Sequence, residues 1–462
     1  MIGKLFGTSG IRGSITEKTT ADLALNLGRA LGTFLKGGGT VGIGTDARTS
    51  REMLRNGLVA GVLSTGTDVM DLGIAPMPAV AYCSQINGIS ASVIVTASHN
   101  PATDNGFKFF TGGREFIRTE ESVIENCVAE KRYLAANWDS CGKVQSLDIR
   151  GQYLKYLKEF LLKRGTRSKG TKILLDLANG AAINYTPYLL LDMGFSVTTM
   201  NSHQDGHFPG RPAEPSPENL RDAMKMAASS DFAVTMCHDG DGDRLAVIDE
   251  RGEFIDQNRV IALFARNEVE RAGGGIVATS IDTSSVIDEL VTASGGQVTR
   301  MPLGSLQEFF ASDKGKDVVF ASEPWKPVFT AIGGWMDGIL GAARFAQLMD
   351  EHGDSSCMKL MESVPKYPML RDSITCPDKI KSRFLPRVKE LLVPQISRVD
   401  RILEVDGIRI DCADGSYVLV RVSGTEPKAR AYIGAKKQSS VDNLAALTKR
   451  VMEEVIEELQ KK

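Results

Sequence analysis

One serine and three aspartates carry the first chemical signal in this sequence. Ser98 lies in the polar run Thr96-Ala97-Ser98-His99-Asn100-Pro101, directly after the apolar run Ala91-Ser92-Val93-Ile94-Val95. Far downstream, Asp239, Asp241 and Asp243 alternate with glycines and are followed by Arg244. A serine in a loop is most often a turn residue, and its hydroxyl needs activation to act as a nucleophile. A phosphoserine needs only in-line geometry and a counter-charge, because the phosphate adds roughly −1.5 to −2 charges. Three crowded carboxylates repel one another without a cation. As hard oxygen ligands they favour Mg²⁺, which keeps positions open for phosphate oxygens. Ser98 and the aspartates therefore read as two halves of a phosphoryl-transfer site, with Ser98 as a covalent relay. In an extended segment the carboxylates would alternate with their glycines and converge on one ion.

An EF-hand loop competes for the same aspartates, since Glu250 stands where its last ligand would be. It fails on Arg244, which stands where that loop needs glycine, and on strand-like flanks at 232–236 and 245–248. Two further loops look like phosphate cradles: Gly7-Thr8-Ser9-Gly10-Ile11-Arg12-Gly13, and Arg421-Val422-Ser423-Gly424-Thr425-Glu426-Pro427 with Arg430. Glycines let backbone N–H groups approach an anion, hydroxyls add donors, and arginine grips phosphate with two. Neither loop ends in the GKS/GKT of a nucleotide-binding P-loop, which argues against NTP hydrolysis.

These loops need a scaffold, and the pattern around them supplies one. Apolar strand, polar loop and amphipathic helix recur three times, with strands at 40–44, 172–175 and 275–278 and helices from about Arg51, from about Ile183 and through Leu290. Each segment adds a later strand (92–95, 232–236, 318–321) whose following loop carries Ser98, the aspartates or Glu323. Strands alternating with helices imply α/β domains with mostly parallel sheets, and ligands sit beyond the carboxyl ends of such strands. The last hundred residues differ. They read as short strands at 408–412 and 417–422 around Asp414-Gly415, then a helix with Leu444, Leu447, Val451, Val455 and Leu459 on one face. Ser363 to Pro368 reads as a linker. The expected division is 1–152, 153–254, 255–367 and a smaller α+β domain at 368–462.

Bulk properties narrow the class. With 462 residues the length prior is about three domains. A net charge of −2 gives no support to nucleic acid or an anionic membrane as partner. No run of about 20 apolar residues suggests a membrane span, and the N-terminus lacks a signal-peptide pattern. Seven cysteines without CxxC spacing read as reduced thiols in a cytoplasm, and neither they nor the five histidines show zinc spacing.

Taken together, the motifs resemble the α-D-phosphohexomutase superfamily of phosphoglucomutases, phosphomannomutases and phosphoglucosamine mutases. Thr96 to Pro101 is similar to its phosphoserine loop, Asp239 to Arg244 to its metal loop, Arg421 to Pro427 with Arg430 to its phosphate-binding loop, and Gly7 to Gly13 to its N-terminal signature. Asn105-Gly106-Phe107-Lys108 matches its Asn-Gly-x-Lys segment, and Phe208 to Arg211, Glu214-Pro215 and Glu218-Asn219-Leu220 also match. The resemblance implies three similar α/β domains with mixed, mostly parallel sheets and a C-terminal α+β domain around a central cleft. It implies an isomerase that moves phosphate between the 1- and 6-positions of a hexose or hexosamine phosphate, with pentose phosphate as the alternative. The implied cofactors are Mg²⁺, held by Ser98 and the three aspartates, and a sugar bisphosphate as activator or intermediate. The implied catalytic set is Ser98, His99, Arg12, Arg244 and Lys108, the last as general acid/base if neighbouring cations depress its pKa. Arg421, Ser423, Gly424, Thr425 and Arg430 would hold phosphate. The implied partner is a small phosphosugar, with no nucleic acid or membrane and with the chain a monomer or homo-oligomer. A phosphatase, or a non-catalytic phosphosugar binder, is the rival on the same scaffold.

One motif departs. The family's sugar-selecting loop reads Gly-Glu-x-Ser-Gly, whereas this chain has Ser322-Glu323-Pro324-Trp325-Lys326-Pro327. Glu323 is retained and Trp325 takes the serine's place. The upstream Met301-Pro302-Leu303-Gly304-Ser305 also differs from the usual Thr-x-Val-Gly. Glu323, Trp325 and Gly304 are the candidate sugar-binding residues, and the identity of the sugar stays open between a rearranged loop around the same hexose and a different phosphosugar.

Overall fold

A computed structural model of the chain describes residues 5–353, 355–423 and 426–461. Gly424 and Thr425 of the expected phosphate loop lie outside the described residues. The chain divides into two compact units, Met1–Gln257 with Gln307–Glu362, and Asn258–Leu306 with Ser363–Lys462.

The first unit holds the strand–helix alternation that the sequence foreshadows. Its strands β1 (Ile11–Ser14), β2 (Thr40–Thr45), β3 (Asp68–Ile74), β4 (Ala91–Val95), β5 (Asp104–Thr111), β6 (Arg114–Glu115) and β7 (Val144–Ser146) form one sheet. Its order is β1-β5-β4-β2-β3-β7, with β6 beside β5. β2 runs parallel to β3 and β4, while β5 lies antiparallel to β1, β4 and β6. Parallel neighbours need helical crossovers: α2 (Arg51–Leu63) joins β2 to β3 and α3 (Met77–Cys83) joins β3 to β4, while α1 (Ala21–Phe34) leads from β1 to β2. β4 is buried throughout, as a covered parallel strand must be. α1 and α2 touch backbone to backbone: a Cβ at Gly28 would stand 2.2 Å from the Leu58 carbonyl oxygen, and one at Gly61 2.2 Å from that of Leu25.

After α4 (Arg118–Glu130) and α5 (Ile149–Leu162), a second sheet is built from β8 (Lys172–Asp176), β9 (Ser196–Met200), β10 (Val234–Cys237) and β11 (Ala246–Asp249), in the order β11-β10-β8-β9. α6 (Thr186–Asp192) and α7 (Arg221–Ala228) accompany it. The helix expected from Ile183 starts later. A 3-10 turn over Ala181–Asn184 precedes it, and α6 begins where Pro187 suits a first helical turn. The same unit includes the hairpin Val318–Glu323/Lys326–Val328, in which Glu323 faces Lys326 across a two-residue turn. Its buried helix Gly338–Glu351 is capped by Asp337, which accepts from the Leu340 N–H at 2.8 Å.

The second unit pairs parallel strands Gly275–Ser280 and Gly296–Met301 around the helix Val286–Ala293. Its five-stranded antiparallel sheet comprises Met369–Thr375, Lys428–Gly434, Tyr417–Val422, Ile408–Cys412 and Val399–Leu403, in that spatial order. Lys381–Leu392 and Gln438–Lys461 cover it, burying Phe384, Val388, Val451 and Val455 among strand residues. Arg409 ties the two parts together. It is fully buried, donates to the carbonyls of Ile281 (2.7 Å) and Thr283 (2.6 Å), and lies 3.9 Å from the centre of the Tyr417 ring. The expected α/β class with mixed sheets and an antiparallel C-terminal sheet is what the structure has.

Candidate active site

Ser98 sits immediately beyond β4 with φ at +55°. That left-handed conformation is uncommon for a residue with a side chain and needs surrounding support. Arg48, from the loop after β2, gives it. Its fully buried guanidinium donates to the carbonyls of Ser98 (2.9 Å), Asn100 (2.7 Å), Asp104 (2.8 Å) and Pro101. Asp46 balances that charge at 3.0 Å and accepts from the Thr96 hydroxyl at 2.7 Å. Thr96 in turn accepts from the Ser98 N–H at 2.8 Å. The whole loop is thus fixed by buried, charge-assisted bonds.

The aspartate segment joins β10 to β11. It is a tight turn, not the extended run expected. Asp239 Oδ1 accepts from the backbone N–H of Gly242 (3.1 Å) and Arg244 (3.2 Å), and Gly242 takes φ +74°. This folding back, rather than alternation along a strand, makes the carboxylates converge. Asp239, Asp241 and Asp243 are fully buried, with ligand oxygens within 4.8 Å of one another. Ser98 Oγ donates to Asp239 Oδ2 at 2.7 Å. Asp241 Oδ1 and Asp243 Oδ1 are buried with no hydrogen-bond partner among the described residues. Orphaned buried carboxylate oxygens are costly. Hard oxygens, convergence and unfilled acceptor positions together fit a divalent cation.

Cations ring this centre. Lys108, on β5, donates to Asp243 (2.8 Å) and Asp241 (3.1 Å), and Lys326 lies 3.6 Å from Asp243. Arg244 Nη2 donates to His99 Nδ1 at 2.8 Å, so that nitrogen acts as an acceptor. Arg12 on β1 faces Gly106 of β5 and donates to Ser9 at 3.2 Å, and its Nε has no partner among the described residues. Burial, then Arg244, Arg12 and Lys326, push His99 down to about 2, so its imidazole is neutral. Burial also raises Asp239, reinforced by Asp243 and Asp241. Asp243 is driven well below the usual range: burial opposes this, but Lys108, Lys326 and Arg244 prevail. Lys108 corrects an expectation. Burial works to lower its pKa, yet Asp241 and Asp243 outweigh burial and raise it, so the depression expected from neighbouring cations is absent. His238, next to the aspartates, is a buried post: it bridges the Arg244 carbonyl (2.8 Å) and the Thr186 hydroxyl (2.9 Å).

Glu323 and Trp325 belong to the same unit. Pro324 and Trp325 form the hairpin turn, and Trp325 adopts φ +65°, where a type II turn normally takes glycine. Its ring lies under Arg244, 5.5 Å from the guanidinium carbon, and its indole N–H has no partner among the described residues. Gly304, with φ +76°, belongs to the other unit. So do Arg421, Ser423 and Arg430. There Arg421 and Arg430 face each other across adjacent strands, an arrangement that repels unless anions intervene. Asp406 engages Arg421, and Glu426 engages Arg430. Lys381 holds the loop from below by donating to the carbonyls of Ser423 (2.5 Å) and Glu426 (2.6 Å).

Sequence reasoning missed Arg48, Asp46, Lys326 and Lys381. The first two lie in the polar loop Thr45 to Ser50 that the pattern did pick out, but their partners are about fifty residues away in sequence.

Four family models match in succession: phosphoglucomutase/phosphomannomutase α/β/α domain I over residues 3–134, domain II over 151–252, domain III over 256–367, and the C-terminal domain over 374–451. A phosphopentomutase from Thermococcus kodakarensis is 39% identical over 461 residues, covering 99% of this chain and all of the relative. The chain belongs to the phosphoglucomutase/phosphomannomutase family. A probable phosphoglucosamine mutase from Methanopyrus kandleri is 38% identical over 466 aligned positions, again covering 99% of this chain and all of that one. Among solved structures, a member of the family from Burkholderia thailandensis shares the fold with a TM-score of 0.86, at 23% identity over 98% of both chains. The chain is accordingly an enzyme of a mutase family whose named relatives act on more than one phosphosugar.

Proposed function

We propose that this phosphomutase moves a phosphoryl group between the two ends of an aldose phosphate by way of phospho-Ser98 and a sugar bisphosphate. The observation that carries the reading is Ser98 Oγ at 2.7 Å from Asp239, within a buried aspartate triad in which two acceptor oxygens have no partner among the described residues. Asp239, Asp241, Asp243 and an oxygen on Ser98 would hold Mg²⁺, which when bound supplies charge neutralisation for a loose phosphoryl-transfer transition state.

The chain's own groups do the rest. The Arg48 clamp fixes Ser98 so that its oxygen keeps one direction through both half-reactions. Phospho-Ser98 gives its phosphoryl to the free hydroxyl of the monophosphate. The bisphosphate then turns over, and its other phosphoryl returns to Ser98. Arg12 and Arg244 grip the transferring group. Lys108, held as an ammonium, donates a hydrogen bond to the reacting sugar oxygen. The proton that the attacking hydroxyl gives up ends on Ser98 Oγ as that oxygen loses its phosphoryl, and in the second half-reaction the Ser98 proton ends on the sugar oxygen that loses its own. His99, neutral and accepting from Arg244, orients that guanidinium. Arg421, Ser423 and Arg430 hold the phosphate that is not being transferred.

The substrate reading is a hexose or hexosamine phosphate, with transfer between positions 1 and 6; the relatives named probable phosphoglucosamine mutases support it. A pentose phosphate is the second reading. The 39% identical phosphopentomutase favours it, and so does the replacement of the family's serine by Trp325, which alters the sugar-selecting loop. A coupled assay with glucose, mannose, glucosamine and ribose monophosphates, Mg²⁺ and a trace of bisphosphate tests both. Release of inorganic phosphate without isomerisation overturns the mutase. Trp325→Ser should reorder the panel, and an unchanged ranking removes Trp325 from sugar selection.

A further inference from the structure

Glu115 is a buried carboxylate that the mechanism above leaves unused. It ends the short strand β6 and is 7% exposed. In the antiparallel β5–β6 pair it stands directly opposite Phe110. Residues opposite one another project to the same face, and so do residues two apart on one strand. Lys108 therefore shares that face with Glu115 as its diagonal neighbour, roughly 7 Å away.

The backbone of Glu115 is firmly held. Arg114 donates to the Glu115 carbonyl at 2.9 Å while both its terminal nitrogens grip Glu120 at 2.8 Å. The side chain is the opposite case, since Oε1 is buried without a hydrogen-bond partner among the described residues. A carboxylate serving only as counter-ion would bond its lysine. The hydrogen bonds of Lys108 go instead to Asp241 and Asp243, and Lys326 reaches Asp243. Lys108, on the same face of the β5–β6 pair, bonds Asp241 and Asp243, so this face is the one turned towards the reaction centre.

We infer that Glu115 is a substrate-binding residue whose carboxylate accepts a hydrogen bond from a ring hydroxyl of the phosphosugar. An incoming hydroxyl satisfies an acceptor that is otherwise orphaned, and orphaned acceptors are what make hydroxyl-reading sites selective. The assignment rests on the phosphosugar reading above and adds a second carboxylate, from the β5–β6 hairpin, to Glu323 from the hairpin Val318–Val328.

Calorimetric titration of the Mg²⁺-loaded protein with sugar phosphates tests it without requiring turnover. The probes are ribose 5-phosphate with its 2-deoxy analogue, and glucose 6-phosphate with its 2-, 3- and 4-deoxy analogues. Glu115→Gln should bind the preferred parent sugar roughly ten- to a hundredfold more weakly than wild type. One deoxy analogue, lacking the hydroxyl in question, should bind both proteins alike. Glu115→Asp, which keeps the charge and shortens the reach, should show the same pattern with a smaller loss, and it serves if the glutamine variant does not fold. Unchanged binding by Glu115→Gln overturns the assignment, and so does an equal loss for the parent and every analogue. Wild-type protein that binds these sugars without isomerising them overturns the mutase reading while the Glu115 comparison still decides; no binding of any probe overturns both.

Discussion

Two charged sites, one in each unit, are built in opposite ways. Around Ser98 the charges are sealed in: the three aspartates, Arg48 and Lys108 are at most 1% exposed, and nearly every group has an internal partner. Around Arg421 and Arg430 the charges lie nearer the surface, with the Arg430 side chain 45% exposed and Glu426 41%, and Arg421 16% and Asp406 35%. Exposed ion pairs contribute little and exchange readily, so on the proposed reading Glu426 is a place-holder that a phosphate displaces. Buried charge-assisted bonds hold their geometry. On that reading one region is preorganised to react, the other to grip and let go.

Four measurements test that contrast. The largest effect is expected at Ser98. Ser98→Ala should lower mutase activity roughly 10³-fold or more with the melting temperature nearly unchanged, and intact mass should lose a species about 80 Da heavier, the mass of a phosphoryl group on the nucleophile. Retained activity would remove Ser98 as the relay.

Next comes Arg48. Arg48→Met strands four carbonyls and leaves Asp46 buried without its counter-ion. Unfolding by urea should show a loss of about 3 kcal/mol, whereas a loss below about 1 kcal/mol, the scale of one ordinary hydrogen bond, would mean the clamp is not structural.

On the exposed side, Arg421→Ala or Arg430→Ala should raise KM roughly ten- to a hundredfold with unfolding midpoints unchanged. A fall in kcat alone would place these arginines with the chemistry instead of the grip.

The smallest effect is in acid. Burial holds His238 down at about 4, even though its bond to the Arg244 carbonyl works the other way. The unfolded chain protonates this histidine near its ordinary pKa of 6.5 and the folded chain does not, so stability is lost as pH falls from 6.5 towards 4. The slope is at most about 1.4 kcal/mol per pH unit. His238→Gln should flatten urea midpoints between pH 6.5 and 5, and an unaltered slope would move the acid sensitivity elsewhere.

How much of this was legible depended on the distance between cause and consequence in the chain. The α/β class was visible because apolar strands and amphipathic helices are local patterns, and Ser98 and the aspartates because each loop is contiguous. The aspartate turn was misjudged as extended, since nothing in the alternation of Asp and Gly reveals that Asp239 bonds back to Gly242 and Arg244. The state of Lys108 was misjudged because its controlling partners, Asp241 and Asp243, lie more than 130 residues away. Arg48, Lys326 and Lys381 are ordinary basic residues in sequence, and only tertiary structure shows whose carbonyls or carboxylates they meet.

The left-handed backbone at Ser98 bears on a choice of side chain that chemistry alone leaves free. A threonine hydroxyl accepts and returns a phosphoryl group by the same steps. A branched Cβ, however, makes φ +55° a true outlier, and the Arg48 clamp leaves the loop no room to relax out of it. Serine and threonine are thus not interchangeable here: under the proposed relay the carrier's identity follows from a torsion angle, and a survey of replacements at position 98 would rank threonine with the misfits rather than with the conservative changes.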